Sequence, residues 1–118
     1  MDSPDIQRVR HILLYCRKIE KSLQRHNHDF AELCSDEDFY DSLCMKIMQI
    51  GELSVGLSTG FKEKTAEVVP WAAVRGIRNI VVHTYRKLHK PVIWSIATTD
   101  IPALRAFCEQ TIAEAENT

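Results

Sequence analysis

Residues 78–90 read RNIVVHTYRKLHK and combine side chains that can bind a phosphate with one that can move a proton. The guanidinium of Arg78 offers a planar fork that matches phosphate oxygens. His83 carries the side chain whose protonation changes near neutral pH. Asn79 and Tyr85 add an amide and a phenol close by. The segment therefore indicates phosphate chemistry, provided that a single element brings these groups to one face.

An α-helix would place these groups on one broad polar face, because each residue advances about 100° around the helix axis. Relative to Arg78, Tyr85 lies at about −20°, Asn79 at about 100° and His83 at about 140°. Arg75 falls on the same side, together with Trp71 and Val82. The opposite arc is predicted to be an apolar stripe formed by Val74, Ile77, Ile80 and Val81.

A polar helix face is more often ordinary solvated surface than a site, so its composition matters. Solvated faces are usually built from Lys and Glu, which are good helix formers. Here no acidic residue occurs between positions 68 and 99, whereas positions 29–52 are strongly acidic. A polyanion could therefore be bound locally, although the whole chain has a net charge of −1. Both alternatives, solvated face and site, stay open on this pattern alone.

Apolar residues spaced by three and four positions predict a helical chain. Ser3-Pro4 is a typical start for a first long helix, which we expect to end within residues 24–28. Ser35 is the expected N-cap of a second long helix running to Gly60. Gly51 lies inside that helix at a cost of about 1 kcal/mol relative to alanine. A glycine at such a position predicts the close approach of another backbone.

The second half of the chain contains further helix signals. A turn at residues 62–67 leads to Pro70, which begins the helix that carries residues 78–90. Pro91 ends or kinks that helix, a brief helix follows at residues 92–96, and Asp100 is the expected cap of a last helix. We therefore predict an all-α fold, an up-and-down bundle of four main helices plus short helices.

Length and composition restrict the number of domains and the class of protein. The 118 residues, 45% of them apolar, fit a single domain spanning 1–118. We do not expect the polar start to be a signal peptide, and no apolar run approaches the roughly 20 residues that span a bilayer. We expect a soluble cytoplasmic protein without a membrane partner.

The cysteines lack C-x-x-C spacing and are expected to be reduced and buried; they are Cys16, Cys34, Cys44 and Cys108. His26 and His28 lack a second ligand cluster, so neither a metal site nor a cofactor is predicted.

The sequence resembles the HepT-like branch of the HEPN superfamily over nearly its whole length. Arg78, His83 and Tyr85 fit the R-x4-H-x-Y motif of that family. The chain departs from the family at Thr84, where Asp is common between the His and the Tyr. Other matching segments follow in the family's order, namely Ser35-Asp36-Glu37-Asp38-Phe39, Ile50-Gly51-Glu52, Pro70-Trp71, Arg78-Asn79 and Val92-Ile93-Trp94.

The resemblance implies a toxin of a toxin–antitoxin system that acts as a metal-independent endoribonuclease on RNA. It also implies a two-fold homodimer in which two R-x4-H motifs face one cleft, and neutralisation by a MNT-type nucleotidyltransferase antitoxin. In this reading Arg78 and His83 are catalytic, and Tyr85 resembles the tyrosine that the antitoxin modifies with AMP. Supporting or RNA-binding roles fall to Asn79, Arg75 and Glu52, although Glu52 would equally suit an ordinary salt bridge to an arginine across the bundle.

An alternative function belongs to a different class. The chain could be a non-catalytic helical subunit that binds a substrate or nucleotide for a nucleotidyltransferase. The pair Arg78 and His83 discriminates between the two, because an adaptor has no need of a phosphate-binding arginine next to a proton-transferring histidine.

Overall fold

The computed structural model describes residues 3–87 and 89–117, except for the side chain of Arg86. No strand occurs in these residues, and the predicted all-α class is confirmed. No helix among them has the length and hydrophobicity needed to span a bilayer. The helices are α1 (Pro4–Arg25), α2 (Phe30–Ser35), α3 (Glu37–Val55), α4 (Thr59–Thr65), α5 (Trp71–Lys87), α6 (Lys90–Ser95) and α7 (Ile101–Glu116), and a π-helical turn (Ile96–Asp100) joins α6 to α7.

The four long helices α1, α3, α5 and α7 form the bundle. α1 packs against both α3 and α7, and α5 packs mainly against α3. Their inward stripes meet in one apolar core, and partly buried side chains of the short helices pack against it, among them Phe30, Phe61 and Trp94. Fully buried members of this core include Val9, Ile12, Cys16, Ile19, Leu43, Ile47, Ile50 and Cys108.

The start of α3 differs by one position from the sequence prediction. Ser35 is the last residue of α2, and Asp36 is the true cap. The backbone N–H of Phe39 donates to the Asp36 carboxylate over 3.1 Å. The prediction missed α2 because six residues, with Leu33 alone buried, carry too little periodicity to be recognised.

The end of α3 was also predicted wrongly. The helix stops before Gly56, and Gly60 lies inside α4 instead of ending α3. Ser58 begins α4 by accepting the N–H of Phe61 over 3.1 Å. Asp5 of α1 accepts both the backbone N–H and the hydroxyl of Ser58, over 2.8 and 2.6 Å. This long-range contact fixes the break between α3 and α4, and residues 62–67 are therefore partly helical.

Asp100 does not cap the last helix. Its backbone is helical and its side chain makes no capping hydrogen bond, so α6, the π-turn and α7 form one continuous helical path. The N–H of Ile101 bonds to the carbonyl of Ile96, five residues earlier. Pro102 has no N–H to donate, and the π-turn is the local change that accommodates it.

Three of the four cysteines are buried, whereas Cys34 is exposed. The expectation that all four lie in the core is therefore wrong for Cys34, which follows the buried Leu33 on the short α2. Desolvation by burial raises the pKa of Cys44 to about 11 and that of Cys108 to about 12. These thiols are consequently inert at neutral pH.

Gly51 brings the backbones of α3 and α5 into close approach, as its place in the sequence predicted. A Cβ atom built on Gly51 would lie 3.4 Å from the N atom of Arg78 and 3.4 Å from the carbonyl oxygen of Val74. Alanine would just fill this space, but a longer side chain would push α5 away.

We therefore expect Gly51→Leu to lower the free energy of unfolding by about 1–3 kcal/mol, because it overpacks the contact between two helices. Gly51→Ala should have little effect, since its added contact and better helix propensity offset the tight fit. Urea denaturation followed by circular dichroism measures both. Gly60→Leu is the matched control, because nothing lies within 4 Å of a Cβ atom there. Equal stability of Gly51→Leu and the wild type would contradict the close contact.

Candidate functional site

The start of α5 is anchored by Pro70 and Trp71. The carbonyl of Pro70 accepts the N–H groups of Ala73 and Val74 over 2.9 and 3.1 Å. The indole N–H of Trp71 donates to the Thr65 hydroxyl over 2.8 Å, and Trp71 is only 7% exposed. The sequence placed Trp71 on the polar side of α5, but at the first turn the ring is covered by α4 and α7, where it contacts the rings of Phe61 and Phe107.

The exposed face of α5 holds the side chains that the sequence singled out. Arg75, Arg78, Asn79, His83 and Tyr85 are all exposed. The buried side is formed by Val74, Ile77, Val81 and Thr84. One helix therefore displays all five groups to solvent, with Arg78 and His83 on different sides of that face.

Two positions of α5 depart from the predicted pattern. Ile80 belongs to the predicted apolar stripe, yet it is 44% exposed because α7 does not cover this edge of the helix closely. Thr84 is only 4% exposed. The residue between His83 and Tyr85 thus points towards the core and lies outside the exposed face.

Arg78 forms an ion pair with Glu52 of α3, with 2.8 Å between its Nη1 atom and the carboxylate. The two side chains are 59% and 48% exposed. The pairing of Glu52 with an arginine across the bundle, which the sequence left open, is therefore present. A pair this exposed contributes at most about 1 kcal/mol. An incoming phosphate can compete with Glu52 for the guanidinium at small cost.

Tyr85 is held in place by stacking and by a neighbouring carboxylate. Its ring lies parallel to that of Tyr40, with centroids 5.4 Å apart and an angle of 4° between the planes. Hydrogen bonding to the Asp41 carboxylate, followed by the negative charge of Asp41, raises the pKa of the Tyr85 phenol above its usual value. The phenol is therefore neutral at physiological pH, and its 42% exposed ring is available to a ligand or an enzyme.

A groove of about 360 Å³ runs between α3 and α5 beside Tyr85. The sequence did not predict it, because the groove forms only where α3 and α5 pack together. The available signal was a second apolar row on α3, offset from the core row. The groove is lined by Asp41, Cys44, Met45 and Met48 of α3 and by Val81, Val82 and Tyr85 of α5.

No group of three or more His, Cys, Asp or Glu side chains in residues 3–87 and 89–117 is arranged to hold a metal ion. His26, one of the two histidines near the end of α1, stacks on the ring of Phe39, with centroids 3.7 Å apart. His28 has a positive φ of 51° in the turn that follows α1. His26 therefore has an aromatic partner on α3, and His28 lies in a turn.

Comparisons with known proteins identify relatives over most of the chain. A relative from Methanocaldococcus jannaschii, named "Putative RNase", is 29% identical over 87 residues, which are 66% of this chain and 79% of the relative. A "Probable ribonuclease HepT" from Thermococcus cleftensis is 28% identical over 105 residues, covering 81% of this chain and 91% of the relative. A third, from Caldanaerobacter subterraneus subsp. tengcongensis, is 26% identical over 96 residues, covering 81% and 83%.

The chain also matches a protein family over most of its length. No solved structure matches the chain significantly. Residues 12–111 match the family described as "Ribonuclease HepT-like". This range includes α3, α5 and the whole exposed face that carries Arg78 and His83. The protein therefore belongs to the HepT-like ribonuclease family.

Proposed function

We propose that the protein is the toxin of a toxin–antitoxin system, an endoribonuclease that cleaves RNA without a metal ion. The observation that carries the proposal is the joint exposure of Arg78, Asn79 and His83 on one helix of a HepT-like chain. RNA provides its own nucleophile, the ribose 2′-hydroxyl. The protein needs only to move protons and to stabilise charge on the phosphorus.

Each of the three side chains suits one part of this transesterification. The 2′-oxygen attacks the phosphorus and the bond to the leaving 5′-oxygen breaks, so one proton is removed and one is delivered. His83 is the residue proposed to transfer a proton. Arg78 binds the phosphate and stabilises the negative charge that develops on it. Asn79 lies one turn before His83 on the same side of α5 and can orient the imidazole or the phosphate.

A two-fold dimer would complete the site. His83 lies about 140° around α5 from Arg78, so the two side chains of one chain do not converge easily on one phosphate. The surface of α5 next to His83 allows a second α5 to come close. It presents Ala72, Gly76 and the half-exposed Ile80, and a Cβ atom on Gly76 would have no neighbour within 4 Å. An apolar groove of about 250 Å³ between α5 and α7 borders this surface.

Inhibition is proposed to occur at Tyr85. A MNT-type nucleotidyltransferase antitoxin would transfer AMP to its hydroxyl. Tyr85 is exposed and lies on nearly the same line of α5 as Arg78. The added phosphate would place negative charge where the RNA backbone has to bind, and so weaken RNA binding.

The first prediction concerns catalysis. His83→Ala should reduce cleavage of RNA by about 10²–10⁴-fold, because it removes the proton-transferring group. Arg78→Lys should also be strongly impaired, since lysine keeps the charge but loses the planar fork. Cleavage by the wild type should persist in EDTA and leave a 5′-hydroxyl with a 2′,3′-cyclic phosphate or 3′-phosphate. Gel analysis of total RNA measures the cleavage rates with and without EDTA. Kinase and phosphatase treatment identifies the end groups of the products.

Two surface variants serve as controls for these effects. His11→Ala and Arg17→Lys change the same residue types at exposed positions of α1 and should cleave like the wild type. A 5′-phosphate product, or activity restored by magnesium after chelation, would contradict the assignment of His83. RNA left intact by the wild type would favour the non-catalytic subunit instead.

The composite site is tested by mixing two inactive variants. Arg78→Ala and His83→Ala chains should each be inactive as homodimers. After mixing and subunit exchange, a heterodimer contains one site with both an intact Arg78 and an intact His83, so cleavage should recover to a sizeable fraction of the wild-type rate. Light scattering should give twice the 13.6 kDa mass of the chain. A monomer, or no recovery despite proven exchange, would refute the composite site.

The inhibition hypothesis predicts one modification site. Co-expression with an MNT-type nucleotidyltransferase should add one AMP to Tyr85, because this phenol is exposed and its ring is fixed by Tyr40. Peptide mass spectrometry locates the added mass. Tyr85→Phe should stay unmodified, while Tyr15→Phe, the control on α1, should be modified normally. AMP on another residue in the wild type would count against Tyr85.

A further inference from the structure

The groove between α3 and α5 has two distinct parts. Its walls are apolar. Two of the side chains that form them are exposed to solvent, Met45 at 58% and Val82 at 38%. Its polar groups are the Asp41 carboxylate and the Tyr85 hydroxyl, which lie together at one end. Concave sites with apolar walls and a few convergent polar groups are typical of small-molecule binding.

The groove is continuous with the proposed phosphate site along α5. Val82 is one turn beyond Arg78, about 6 Å along the helix axis, and Tyr85 is about 10 Å beyond it. On α3, Met48 lies one turn before Glu52, the partner of Arg78. A phosphate bound by Arg78 would therefore have the mouth of the groove beside it.

We infer that this groove binds the base of a nucleotide next to the scissile phosphate, and that Asp41 reads the hydrogen-bonding edge of that base. The inference rests on the proposed ribonuclease function and adds a subsite to it. Single-stranded RNA is commonly recognised in this way, with an unstacked base packed against side chains and hydrogen-bonded along its edge. The Tyr85 ring, the Met45 thioether and Val82 provide the packing surface.

The chemistry of Asp41 restricts which bases fit. An ionised carboxylate only accepts hydrogen bonds, so it favours bases that present amino groups. Adenine and cytosine each offer an exocyclic amine, and guanine offers an amine next to a ring N–H. Uracil presents two carbonyl oxygens, which an acidic side chain repels, with one N–H between them. The groove should therefore bind adenine, cytosine or guanine in preference to uracil.

A bound base also explains the polar end better than an apolar protein segment does. A segment of a second chain could cover Met45 and Val82, but its apolar side chains would bring no donor to Asp41 besides the Tyr85 phenol that is already there. A carboxylate can accept several hydrogen bonds, so covering it with this single donor is unfavourable. A base would pack against the apolar walls and also donate a hydrogen bond to Asp41.

A random-sequence RNA pool tests the inference, with the cleavage ends of each variant mapped by sequencing. The wild type should show a bias at one position next to the cut, with uracil depleted on the order of tenfold. Asp41→Asn should lose this bias, because an amide donates as well as accepts. Met45→Glu should weaken cleavage of the whole pool, since it places a charge against the base. Asp38→Asn, an exposed acid near the start of the same helix, should keep the wild-type bias.

The possible failures are distinguishable. A wild type that cleaves without any bias next to the cut, or an Asp41→Asn variant with the wild-type bias, would overturn the subsite and leave the ribonuclease function intact. Met45→Glu that changes the oligomeric mass while the base preference stays the same would assign the groove to a subunit contact and overturn the subsite as well. A wild type that leaves the pool intact would overturn the proposed function itself.

Discussion

The site depends on the contact between α3 and α5 at Gly51. Because this residue has no side chain, the backbone of α3 comes within van der Waals distance of the backbone of α5 at Arg78. The contact sets the register of the two helices. It places Glu52 opposite Arg78 and, further along, Tyr40 opposite Tyr85. The ion pair, the stacked tyrosines and the groove between them all follow from this one alignment.

Features that depend on local periodicity could be predicted from the sequence. The exposed face of α5 followed from the 100° step of a helix, and the close approach at Gly51 followed from a glycine inside an apolar pattern. Features decided by distant contacts could not be predicted in this way. α3 ends early because Asp5, more than fifty residues away, binds Ser58. Trp71 is buried because α4 and α7 cover it.

The candidate site also has parts that the sequence predicted and parts that it did not. The sequence identified Arg78, His83 and Tyr85 because they share one helix, and the exposure of their side chains agrees with the helical angles. Their roles stay predictions. The groove could not be found from either helix alone, because it exists only where the second apolar row of α3 meets α5. The role that we propose for Asp41 depends on the neighbouring Tyr85, a partner that the chain order does not reveal.

The proposed regulation depends on the charges around Arg78. The acidic α3 supplies Glu52 and Asp41, and α5 supplies Arg78, so the free site is already partly neutralised by the protein. In the proposed function RNA would replace Glu52 at Arg78, which the weakness of an exposed ion pair allows. A nucleotide attached to Tyr85 would act on the same surface in two ways. Its phosphate would add a negative charge near Arg78, and its base would lie at the mouth of the groove that we assign to the substrate. The nucleotide attached to Tyr85 would then occupy the groove and exclude the nucleotide of the RNA substrate.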